Sequence, residues 1–111
     1  MIIGREEALP ILRKWSEESS DLVCEADLRS IAFFVEGKMA DLSESLIAVR
    51  SDDGRSEIRF SLDAVVAFDF NDTRRMPEAS KEFDFGVTFF FDVTDDPERI
   101  AIVERRHSRP A

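Results

Sequence analysis

The segment Ile31–Leu42, IAFFVEGKMADL, limits what this chain can fold into more than any other. Its odd positions, Ile31, Phe33, Val35, Gly37 and Met39, form one apolar row. Its even positions, Ala32, Phe34, Glu36, Lys38, Ala40 and Leu42, are apolar at both ends and charged in the middle. Alternation of this kind marks a β-strand, because successive side chains point to opposite faces. A straight strand of twelve residues would span roughly 40 Å, long for a small domain. Gly37 therefore marks a bend or bulge, where one strand serves two parts of a curled sheet.

A helix precedes this strand. Over residues 5–19, Ala8, Ile11, Leu12 and Trp15 recur at spacings of three, four and seven and make one apolar stripe, broadened by Leu9. Glu6 and Glu7 fall in the first turn, the sense that the helix dipole favours. Pro10 is tolerated only near a helix start, which places the regular helix from about Ala8 or Leu9. Strands are predicted at 22–28, 31–42, 45–50, 56–62, 64–70, 82–91 and 99–104, with a tail at 105–111. Asp52-Asp53-Gly54 is a hairpin signal, since Asp-Gly suits turns that need positive φ. The run from Val65 to Phe68 has no polar break, so both of its faces should be covered. Residues 71–80 form the one extended loop.

Short links between successive strands favour antiparallel neighbours, and a long meander curls because closure removes exposed edges. The expected fold is a single α+β domain over residues 1–111, mainly β. Its N-terminal helix packs on a seven-strand antiparallel meander that forms a small barrel or strongly curled sheet.

Several function classes are disfavoured by residue type. A formal net charge of −9 opposes a broad phosphate-binding surface and docking on an anionic membrane, so neither nucleic acid nor membrane is an expected partner. The one dense basic run, around Arg105, Arg106 and Arg109, reads as a solvated tail. No signal peptide is visible, and the apolar run around Phe89-Phe90-Phe91 is far too short for a membrane span, which points to a soluble cytoplasmic protein. Cys24 is the single cysteine, so an intrachain disulfide and a multi-cysteine zinc site are excluded. It falls in the apolar row of a strand and reads as a buried structural thiol. The single histidine, His107, lies in the tail, which argues against a histidine-based triad. Four glycines make no phosphate-cradling loop. The acidic turn Asp92, Asp95, Asp96 and Glu98 lacks the spacing of a calcium loop, and Arg74 and Arg75 have Asp72 and Glu78 beside them for self-pairing. No catalytic residue, metal or cofactor is expected.

The informative surplus is apolar. Ile31, Phe33, Val35, Ile58, Phe60, Phe83, Phe85, Val87 and Phe89 read as the sheet interior. A second set, Phe34, Ile47, Val49, Val66, Phe68 and Phe90, falls on the opposite faces. Burying a Phe is worth roughly 2–3 kcal/mol, so a whole second face left in water would be costly and adhesive. Either the helix covers it, or it binds. The expected function is a non-enzymatic protein–protein interaction module acting as a homodimer or on another protein, with these six residues as the candidate surface. The alternative is a binder of a small hydrophobic ligand in a Phe-lined cavity.

Overall fold

The computed structural model describes residues 1–72 and 83–105. The loop arginines Arg74 and Arg75, the tail beyond Arg105 and His107 lie outside the described residues. The elements run β1 (Ile2–Ile3), α1 (Arg5–Glu17), β2 (Leu22–Leu28), β3 (Ile31–Leu42), β4 (Leu46–Ser51), β5 (Glu57–Ser61), a 3₁₀ turn (Leu62–Ala64), β6 (Ala67–Asp72), β7 (Phe83–Phe90) and β8 (Arg99–Arg105). The eight described strands form one antiparallel sheet in the order β1-β6-β7-β8-β2-β3-β4-β5.

Two expectations are corrected by this order. There are eight described strands rather than seven, because Ile2–Ile3 pairs with Phe68 and Asp69 of β6. A two-residue strand carries no alternation that could announce it. The sheet is also two meanders rather than one. β2 to β5 and β6 to β8 are each sequential, and they are joined by the non-local pairing of β2 with β8.

The sheet is strongly curled but not closed. β5 and β6 are six positions apart in the sheet, about 29 Å in a flat one. Residues 62–66 alone connect them, and the steps from Ser61 to Ala67 reach at most about 21 Å. Curling brings the two ends together. The Phe60 ring of β5 accordingly meets the rings of Phe89 and Phe91 across the concave side, with centroids 5.1 and 5.6 Å apart. No ladder joins β5 to β1. Instead Arg5, at the start of α1, donates to the Leu62 carbonyl at 2.8 Å and to Asp63 at 3.0 Å.

The helix begins earlier than Pro10 suggested. Gly4 caps it: its carbonyl accepts from the Glu7 and Ala8 N–H groups, and its own N–H donates to the Glu7 carboxylate at 3.3 Å. Pro10 lies inside, where it removes one intrahelical bond. The other end closes as a Schellman motif. Ser20 N–H donates to Trp15 O, Ser19 N–H donates to Ser16 O, and Ser19 adopts a left-handed φ of 49°. The stripe Ala8, Leu12 and Trp15 is buried in the concavity as expected, against Leu22, Cys24, Val35, Ile102 and their neighbours.

β3 does what its glycine implied. Ile31–Gly37 pairs with β2, and Gly37–Leu42 pairs with β4, with a bulge between Met39 and Asp41. Gly37 is the residue shared by both ladders. A Cβ there would lie 1.8 Å from the Arg50 carbonyl oxygen, so the close approach is that of the neighbouring strand's backbone.

Candidate functional site

The division of the apolar residues into two faces is partly corrected. Ile47 and Val49 are fully buried and Phe68 nearly so. The β4–β5 hairpin pairs Ile47 with Phe60 and Val49 with Ile58, so odd positions of one strand share a face with even positions of the other. The β6–β7 hairpin likewise sets Phe68 against Phe89, whose ring centroid is 5.7 Å away. Alternation defines faces within a strand, and the turn defines which faces match between strands. These three residues belong to the core that α1 and the curl enclose.

Phe34, Val66 and Phe90 stay outside it. Phe34 and Val66 are exposed and Phe90 is half-buried. Phe34 stands on the convex side, in register with Glu25. Phe90 is opposite Ala67 and Arg99, with Val66 N–H donating to its carbonyl. The six candidates therefore do not form one surface.

Among residues assigned to the interior, Ile31 and Phe33 are exposed, at 59% and 44%. With Phe34 at 65% and Ala32 also exposed, β3 presents four consecutive apolar residues to solvent. β4 leaves β3 at Gly37, and with it goes the cover. Among the described residues, the stretch Ile31 to Glu36 of this strand has a partner on one side, β2, and no ladder on the other. Loss of a neighbour where a ladder ends leaves no trace in the alternation of the sequence.

Beside this edge the concavity opens as a groove of about 410 Å³. Its floor is Ala26, Leu28 and Ile100, and Phe33, Ile58, Phe60 and Phe91 form its walls. Glu57, Arg59 and Glu98 stand at its rim. α1 fills the other end of the concavity, so the groove is the part of the concave side the helix does not reach. Two of the rim charges, Glu57 and Arg59, are already engaged. Glu57 accepts from Arg50 at 2.9 Å and from Arg59 at 3.1 Å, and Arg59 also lies 3.7 Å from Asp41 across Ala48. Two arginines, Arg59 first and Arg50 second, hold the Glu57 carboxyl below its ordinary value.

The other residues singled out have structural occupations. Cys24 is buried beneath the helix, and that burial pushes its thiol up to about 12, which suppresses the nucleophilic thiolate. In the acidic turn, Asp92 accepts from the Thr94 hydroxyl at 2.6 Å and from the Thr94 and Glu98 N–H groups, and it pairs with Arg29 at 3.1 Å. Its carboxylate organises the turn. Among the described residues no group of three or more His, Cys, Asp or Glu gathers where it could hold a metal ion. Glu104, buried at the inner end of β8, accepts from the Ser20 hydroxyl at 2.9 Å. Among the described residues no helix is long and apolar enough to cross a membrane.

No protein-family model matches the chain, nor does any curated protein or solved structure.

Proposed function

We propose that this protein is a non-enzymatic interaction module of the cytoplasm that works by protein–protein contact as a homodimer. One observation carries the reading: Ile31, Phe33 and Phe34 stand exposed in succession on a strand with a free side. Natural sheets blunt such edges with charge, proline or cover, because an open apolar edge recruits another chain. Here the four positions Ile31 to Phe34 hold neither charge nor proline, and among the described residues no strand pairs with their outer side. The acidic exterior keeps the remaining surface soluble and argues against nucleic acid and membrane as partners.

A second reading is favoured by the groove, whose apolar walls and volume of about 410 Å³ fall within the range that small ligands occupy. It makes the protein a binder of a small hydrophobic molecule. Native mass spectrometry of freshly purified protein separates the two. A dimer mass without adduct supports the interaction module. A monomer with a stoichiometric extra mass replaces it with the ligand binder. A bare monomer at concentrations well above the micromolar overturns self-association.

A further inference from the structure

We infer that two copies join through the free side of β3, antiparallel, in a register centred on Phe33, so that the two sheets become one. The inference rests on the homodimer reading above and gives it a geometry.

A two-fold axis normal to a sheet keeps concave-side residues opposite concave-side residues, so paired positions must have the same parity. The free edge runs from Ile31 to Glu36, and two registers fit it. Centred on Phe34, Ile31 would need the edge of Gly37, which Ser51 of β4 already occupies, and Ala32 would face the Glu36 carboxylate. Centred on Phe33, Ile31 faces Val35 of the second copy, Ala32 faces Phe34, and Phe33 faces its own counterpart. Every one of these pairs is apolar. Glu36 then falls opposite Ser30, and it keeps Arg105 as its ion-pair partner at 3.0 Å. No charge meets a like charge along the seam, although each chain is strongly acidic.

The size of the patch sets the strength. Phe34, Ile31 and Phe33 are 65%, 59% and 44% exposed. At about 200 Å² per side chain this is about 340 Å² of apolar surface per protomer, and about 670 Å² for the pair. That lies below the roughly 1,200 Å² at which stable specific interfaces begin, so the dimer is weak and reversible, micromolar at its tightest. Phe33 also lines the groove, so pairing brings the two grooves side by side. Because the seam is apolar and the protomers repel at long range, added salt should strengthen the dimer, the opposite of what an ion-paired interface would show.

Sedimentation velocity over about a hundredfold range of concentration around the micromolar measures the association. Disulfide trapping of single-cysteine additions reads the register. Facing residues at the centre of an antiparallel pair have Cα atoms about 4.5–5.5 Å apart, within disulfide reach. Phe33→Cys should therefore form a covalent dimer on mild oxidation. Phe34→Cys, two residues out of register with its own counterpart, should not. Cys24 is buried and does not compete. Ala32→Lys, on an exposed position, should weaken the dimer at least tenfold while leaving the melting temperature of the monomer unchanged. A dimer that survives Ala32→Lys, or that traps through Phe34→Cys and not Phe33→Cys, overturns this seam while leaving self-association standing. A wild-type chain that stays monomeric in high salt overturns both.

Discussion

Replacing Gly37 by alanine should be among the most damaging single substitutions this chain can suffer. The added Cβ would stand 1.8 Å from the Arg50 carbonyl oxygen, 2.6 Å from the Arg50 carbonyl carbon and 2.8 Å from the Ser51 Cα. Real Cβ contacts do not fall below 3.0 Å, so the oxygen alone must retreat by about 1.2 Å. Overpacking absorbed by side chains costs about 1–3 kcal/mol. The obstacle here is backbone, held in the ladder between β3 and β4, and displacing it loosens one or two hydrogen bonds worth about 1 kcal/mol each. The reduced entropy of the unfolded chain returns about 0.5–1 kcal/mol. With the overpacking at the upper end of its range, because backbone cannot rotate away, the net loss is about 3–4 kcal/mol, a large part of the roughly 5–15 kcal/mol that stabilises a domain of this size. Trp15, the single tryptophan and buried in the concavity, reports unfolding by fluorescence in a urea titration. The midpoint should fall at unchanged slope. Gly86→Ala is the control, since its Cβ would meet Val103 Cγ2 at 3.4 Å, a contact a side chain can relieve, and its cost should stay within about 1 kcal/mol. If Gly37→Ala is no worse than Gly86→Ala, the Arg50 backbone does not approach Gly37 as closely as described.

Ser19→Gly should stabilise the protein by about 0.5–1 kcal/mol in the same titration, because glycine reaches the left-handed φ of 49° without the cost of a Cβ. Cys24 should resist a thiol–disulfide exchange reagent in the native protein and react at once in denaturant. Its folded value of about 12 lies above its ordinary 9.0, so its share of stability is whole below pH 9.0 and is lost as pH rises through that window, a slope that Cys24→Ala should remove. Asp53, Glu57 and Asp92 are held below their ordinary values by, first in each case, the Ser51 hydroxyl, Arg59 and the Thr94 hydroxyl. Their contribution is present above pH 4.5 and should drain away as pH falls through the lowered values; a urea midpoint that stays flat on acidification would contradict these contacts.

Local chemistry was enough to place most elements. β2 and β3 occupy Leu22–Leu28 and Ile31–Leu42, where alternation put them, and the apolar stripe of Ala8, Leu12 and Trp15 faces the core. Asp52-Asp53-Gly54 turns β4 into β5 with Gly54 at a φ of 74°, as an Asp-Gly step favours. Gly37, in the middle of an overlong strand, announced that the strand serves two ladders, although the bulge itself falls between Met39 and Asp41. Alternation and turn preference are properties of a few neighbouring residues, so the chain displays them before it folds.

Tertiary structure decided the rest. The pairing of β2 with β8 joins residues about eighty positions apart, and nothing local marks it. Hairpin register, and not alternation, put Ile47, Val49 and Phe68 inside. Their burial removed half of the expected binding surface. The departure of β4 at Gly37 uncovered Ile31, Phe33 and Phe34, whose pattern reads like any buried strand. Whether an apolar residue ends in the core or at a surface depends on which strands arrive beside it, and that is settled only when distant parts of the chain meet.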